Sequence, residues 1–358
     1  MTAVIIISAL LLSPLFILWL LSPGRLKPYK DSSGRTLPNS ISEKIWVPIN
    51  GVNQGMIIQG KDINNPVILF LHGGPGVPMY YLCEKPFAKL QEDFTLCYWE
   101  QRGAGLSWKP GMDPDTITAN QLIADTISVA DYLCTRFKKE KVMLMACSWG
   151  SFIGIQAAYQ APEYFSSYIG IGQIADEKEN ERLAWQYLYE ECTKQGNRNL
   201  IQKLDGFDIN SEAGIWAFYN SPVRESAQHA LGVGSTHAMR SVITGIFLPS
   251  LLHKAYTLKE KINYWRAKVF LAKHTALNKE LFEKSLLQSV TELKIPTYFL
   301  SGTYDYTVNK NLSKAYLELL QAPVKRYIEF MHSAHSPMLE EPERFVKLIR
   351  EISQTLVF

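Results

Sequence analysis

Apolar residues recur along this chain in two rhythms. Short unbroken runs, such as Val67-Ile68-Leu69-Phe70-Leu71 and Val142-Met143-Leu144-Met145-Ala146-Cys147, read as strands buried on both faces. Between them lie longer stretches with apolar positions every three to four residues. The clearest is 118–137, where Ile123, Ile127, Ala130 and Cys134 share one face of a helix. Further strands are expected near 44–48, 55–59, 95–99, 168–172, 296–300 and 324–330, and a helix over 149–161. Alternation of this kind predicts an α/β fold with a mostly parallel sheet and helices on both faces.

The pattern changes between 172 and 293. Helical periods such as 182–193 and 276–289 dominate there and no strand is expected, which marks a helical insertion. Its opening run, Asp176-Glu177-Lys178-Glu179-Asn180-Glu181, reads as a solvated helix entrance. The N-terminus differs again. Residues 2–23 carry no charged side chain, and roughly 20 apolar residues suffice to cross a bilayer. A transmembrane helix is therefore expected there, with a cleaved signal peptide as the rival reading. Arg25, Lys27, Lys30 and Arg35 follow it, so the positive-inside rule favours a cytoplasmic catalytic domain on a single-pass anchor. The expected organisation is an anchor over 1–24, core over 25–172, insertion over 173–290 and core again over 291–358.

Composition narrows the function classes. A length of 358 residues with 47% hydrophobic content provides for a sizeable core, and a net charge of +3 gives no electrostatic footprint for nucleic acid. The five cysteines lack metal-type spacing and read as reduced core residues. No phosphate loop or dinucleotide fingerprint is present, and no metal or organic cofactor is expected.

The candidate chemistry sits where strands end. Ser148, in Ala146-Cys147-Ser148-Trp149-Gly150, falls between an expected strand and an expected helix. A tight turn there exposes the serine oxygen and aims the Trp149 amide at a developing oxyanion. Asp305 follows the apolar run 296–300 through Ser301-Gly302-Thr303-Tyr304 and reads as the acid that orients a base. The base is His332 or His335, both in the loop after 324–330. After strand 67–71 comes His72-Gly73-Gly74-Pro75-Gly76, whose glycines leave backbone amides free to face a cavity. Gly74 is the expected second oxyanion donor, with Gly73 the alternative.

These motifs, together with Trp99-Glu100-Gln101-Arg102-Gly103-Ala104-Gly105-Leu106-Ser107 and Ser148-Trp149-Gly150-Ser151, resemble the proline iminopeptidases and their relatives among the α/β-hydrolases. The resemblance runs from about Ile45 to the C-terminus. It implies the α/β-hydrolase fold with a helical cap, a catalytic set of Ser148, Asp305 and His335, and a Gln-Arg-Gly segment that braces the site. It also implies an aminopeptidase acting on short peptides. One of Glu177, Glu179 or Glu181 could then receive the substrate ammonium, as acidic cap residues do in that family. Glu100 stands where the family usually carries aspartate, and the family's cap-borne Trp-Glu segment has no clear match around Trp216. The same machinery serves an esterase or lactonase on small carboxylic esters. The non-enzyme alternative is a ligand-binding relative without turnover, against which intact Ser148, Asp305 and His335 argue.

Overall fold

The structure, a computed structural model, describes residues 16–356 and Phe358. Its frame is an eight-stranded sheet in the order β1-β2-β4-β3-β5-β6-β7-β8. The strands are β1 (Ile41–Ile49), β2 (Val52–Gly60), β3 (Val67–Leu71), β4 (Thr95–Trp99), β5 (Val142–Cys147), β6 (Phe165–Ile171), β7 (Thr297–Gly302) and β8 (Lys325–Phe330). Only β2 runs against the rest, pairing antiparallel with both β1 and β4.

The unbroken apolar runs have a simple cause. Along β3 and β5, Leu69, Leu71, Leu144 and Ala146 pack into one core while Ile68, Phe70, Met143 and Met145 pack into another on the opposite face. Each strand must therefore be apolar at every position. Helices α1 (Ala119–Phe137) and α2 (Trp149–Gln160) cover the first face. The first of them starts where Thr118 Oγ1 accepts the Gln121 amide at 3.1 Å, and ends at Lys138 in the left-handed conformation.

Between β6 and β7 the chain is helical: α3 (Glu177–Lys194), α4 (Arg198–Leu204), α5 (Glu212–Tyr219), α6 (Pro222–Leu231), α7 (Leu258–His274) and α8 (Leu277–Glu283). The period over 276–289 suggests one helix, yet the structure breaks it. Lys284 and Ser285 are extended, and the Leu286 amide turns back to the Ala175 carbonyl at 2.8 Å. After β7 come α9 (Lys310–Leu319), β8 and α10 (Pro342–Ser353), whose apolar side packs into the second core.

The membrane-spanning helix expected over 2–23, and the single-pass membrane localisation that followed from it, require correction. No helix among the described residues is long and apolar enough to cross a membrane. Residues 2–15 of that stretch lie outside the described residues. Its described part is one helical turn over 16–20, ended by contacts to the folded domain. Lys261 Nζ donates to the Leu21 carbonyl at 3.0 Å and to Ser22 Oγ at 2.8 Å, and Pro23 bridges to Thr257. Charge counts over a sequence window cannot register such contacts, because the lysine is far away in the chain.

Two buried carboxyl sites tie the elements that frame the cavity. Asp125, on α1, accepts from Arg102 Nε at 2.6 Å and Nη2 at 2.9 Å, and from the side-chain amides of Asn50, Gln54 and Gln121. Glu100, just past β4, accepts the Tyr256 hydroxyl at 2.6 Å and the Leu106 amide at 2.5 Å. Burial pushes the Glu100 carboxyl up to about 7.

Replacing Asp125 with alanine strands the Arg102 guanidinium inside the fold, and is expected to cost about 3–5 kcal/mol in a chemical-denaturation measurement. A loss under about 1 kcal/mol would show that water reaches Arg102. The Glu100 shift has a definite sign. The folded state holds a proton that the unfolded chain releases near the ordinary value of 4.5, so stability falls as pH rises from about 4.5 to about 7 and levels off above. Glu100→Gln keeps both contacts if the Tyr256 hydroxyl turns to accept. Its stability relative to the parent should rise across that window; a flat difference would place the carboxyl back in its ordinary range.

Candidate active site

The turn after β5 must pass from strand to helix within one residue. Ser148 does so with φ 53° and ψ −123°, a left-handed conformation that few non-glycine residues adopt. Its amide is held by the Ile171 carbonyl at 2.9 Å. Two residues on, any side chain at Gly150 would place a Cβ 2.5 Å from the Leu71 carbonyl oxygen and 2.8 Å from that of His72. The bare glycine lets α2 begin against the end of β3, so Ser148 faces the loop that follows β3.

Asp305 and His335 arrive on neighbouring strand ends. The loop after β7 folds so that Asp305 Oδ1 accepts the amides of Thr307 at 3.0 Å and Val308 at 2.9 Å. Its other oxygen, Oδ2, lies 2.9 Å from His335 Nδ1. With Nδ1 protonated and donating to Asp305, His335 keeps a lone pair on Nε2. Asp305 is fully buried and His335 nearly so. Of the two histidines left open by the loop sequence, His332 is exposed, with its amide on Glu341 Oε1 at 3.0 Å.

Gly172, at the end of β6, was not among the expected site residues. It adopts φ +55°, and a Cβ there would lie 2.7 Å from His335 Cε1 and 2.9 Å from Nδ1. The absence of that side chain makes room for the imidazole. A lone glycine at a strand end is the only signal the sequence carries for this.

The loop after β3 is built from backbone. Gly74 has φ +125°, and a Cβ on Gly73 would sit 3.2 Å from Ser148 Cβ, so the two glycines lie beside the serine. The preceding His72 is neutral, its pKa lowered to about 4 by burial. Its Nδ1 lies 2.9 Å from the Gly73 carbonyl, and its Nε2 accepts the Gln101 amide at 3.2 Å, which fixes one tautomer. Gln101 does more. Its Nε2 donates to the His72 carbonyl at 2.9 Å, and its Oε1 accepts Trp149 Nε1 at 3.0 Å. One buried side chain thus ties the glycine loop to the serine turn.

Ser148, His335, Gly73 and Gly74 line one cavity of about 530 Å³. Apolar residues such as Val77, Met239 and Leu339 form part of its wall; α6 and the residues before it add Asn220, Arg224 and Glu225. The three cap glutamates are placed differently. Glu179 pairs with Arg182 at the surface, Nε to Oε2 at 2.8 Å. Glu181 is buried and held by both Arg224 Nε, at 2.6 Å, and Arg224 Nη2. Glu177 is buried with Oε2 unpartnered, and burial together with nearby Glu181 raises its pKa. None of the three lines the cavity; Glu225 does. Among the described residues no group of three or more His, Cys, Asp or Glu side chains is arranged to hold a metal ion.

Comparison with known proteins agrees with this architecture. Residues 66–342 match the family model described as alpha/beta hydrolase fold. A probable aminopeptidase, YbaC of Bacillus subtilis (strain 168), is 32% identical over 309 residues, covering 84% of this chain and 93% of that protein. Among solved structures, the proline iminopeptidase of Mycobacterium smegmatis superposes with a TM-score of 0.64 at 17% identity, over 87% of this chain and 97% of that one. VinJ superposes with a TM-score of 0.63 at 21% identity, over 88% and 99%. At such identities the two structures speak for the fold alone. The chain is a hydrolase that belongs to the α/β-hydrolase family, and over most of its length it is similar to a probable aminopeptidase.

Proposed function

We propose that this hydrolase is a serine aminopeptidase acting on short peptides through Ser148, His335 and Asp305. The observation that carries the reading is the 2.9 Å contact between His335 Nδ1 and Asp305 Oδ2, on the wall of the cavity that also holds the strained Ser148 turn. His335 Nε2 takes the serine proton as Oγ attacks the substrate carbonyl. Amides of Trp149 and Gly74, with Gly73 the alternative, hold the resulting oxyanion. The imidazolium, stabilised by Asp305, returns its proton to the leaving amine. Water then repeats the cycle on the acyl enzyme.

Peptide substrates are favoured by the probable aminopeptidase from Bacillus subtilis, which matches this chain over most of its length. A free amino terminus needs a carboxylate within reach. Of the cap glutamates expected for this role, Glu181 is neutralised by Arg224, Glu179 by Arg182, and Glu177 lies off the cavity wall. We therefore assign the ammonium to Glu225, the acidic residue on the wall. A second reading, an esterase on small carboxylic esters, is favoured by the same neutralisation, which leaves little negative charge for an amine.

Ser148→Ala and His335→Ala are each expected to lower kcat/KM by roughly a thousandfold or more, with His332→Ala within about threefold of the parent. A dead His332 variant beside an active His335 variant would overturn the choice of base.

The amine assignment is read by substrate pairs. Glu225→Gln should raise KM for aminoacyl amides by roughly tenfold or more and leave N-blocked esters within about twofold, since a desolvated charge pair is worth a few kcal/mol on truncation. Equal effects on both substrates, with Glu177, Glu179 and Glu181 variants also showing no preference for the free amine, would leave the esterase reading standing.

A further inference from the structure

Beside the cavity, the loop that joins α6 to the rest of the cap touches both loops that carry Asp305 and His335. The Gly234 carbonyl accepts the His335 amide at 3.2 Å, and the Val233 carbonyl accepts the Tyr306 amide at 3.3 Å. The His237 ring stacks on Tyr304, centroids 4.2 Å apart. Ser235, Thr236 and Met239 of this segment line the cavity itself. One stretch of chain, 232–239, is therefore both a wall for the substrate and a support for the two loops.

A single carboxylate closes this arrangement. Glu340 Oε2 accepts the amide of Ala334, next to His335, at 2.8 Å. Its Oε1 accepts the amide of His237 at 2.6 Å. Charged acceptors make the stronger hydrogen bonds, and both donors are backbone, so the bridge fixes main chain against main chain. The neighbouring Glu341 holds only the outer half of the histidine loop. Its Oε1 accepts the His332 amide at 3.0 Å and the Ser333 hydroxyl at 2.8 Å, and neither donor belongs to the cap segment.

We propose that Glu340 is a positioning residue, which sets the height of His335 above Ser148 by bolting the histidine loop to the cap segment 232–239. This rests on the reading of His335 as the base for Ser148. Glu340 touches no substrate; it acts through Ala334 and His237. Without it the histidine loop keeps its bond to Gly234 but loses the carboxylate that spans both segments, and the imidazole is free to drift from the serine. Misplacement by about an ångström is enough to slow a general base strongly.

The test separates positioning from folding. Full-length parent, Glu340→Ala and Glu340→Gln are titrated to completion with a fluorophosphonate, and kcat for a small aryl ester is expressed per labelled site. The alanine variant should lose roughly tenfold or more in kcat per site, with KM within about threefold. Glutamine keeps one acceptor oxygen, and should fall between alanine and parent. A purely structural role would lower the labelled fraction and leave kcat per site unchanged. Values within about twofold of the parent for both variants overturn the proposal, and if the alanine protein does not fold, the glutamine variant decides by the same limit. A parent that takes no label at Ser148 overturns the serine reading first, and this proposal with it.

Discussion

Everything near the cavity depends on how closely α2 approaches the end of β3. Strand and helix meet at Ser148, which absorbs the whole change of direction in one left-handed residue, and the contact is possible only because Gly150 has no side chain to collide with the Leu71 and His72 carbonyls. A strained conformation of this sort costs on the order of 1–3 kcal/mol and persists only when its surroundings over-determine it. The surroundings here are the fully buried β5, the Ile171 carbonyl on the Ser148 amide, and the Trp149 indole anchored to Gln101.

That anchoring continues outward through polar contacts rather than apolar packing. Gln101 joins the serine turn to the glycine loop, and the next residue, Arg102, is locked to α1 through Asp125. On the other side Glu100 reaches Tyr256 in the cap. Three consecutive side chains thus connect the serine turn, the core helix and the cap. Buried polar groups are costly unless fully partnered, and a fully partnered network permits only one arrangement of the loops. The Gln101-Arg102 segment braces the site through these contacts.

The inner strands were legible in the sequence because burial on both faces removes any alternation, and even the partly exposed β1 and β8 kept enough apolar character to be expected near 44–48 and at 324–330. The turns that carry Ser148 and Asp305 were legible because each follows a strand. Contacts between segments distant in the chain were not. The loop after β8 offers two histidines, and only folding decides that His335 meets an aspartate 30 positions earlier. The acidic run at 176–181 reads as solvated, yet Arg224 returns from 43 residues away to bury against Glu181. The apolar N-terminal stretch misled for a related reason, since Lys261, distant in the chain, holds the Leu21 carbonyl and the Ser22 hydroxyl at its end.

A cap that did nothing but line the cavity could change its side chains without consequence for the chemistry. Here the segment 232–239 presents Ser235 and Thr236 to the cavity while its Gly234 carbonyl and His237 amide hold the histidine loop from behind. A substitution that reshapes the wall must move the same backbone that supports His335. The shape of the cavity wall and the placement of the His335 ring are therefore set by the same stretch of backbone.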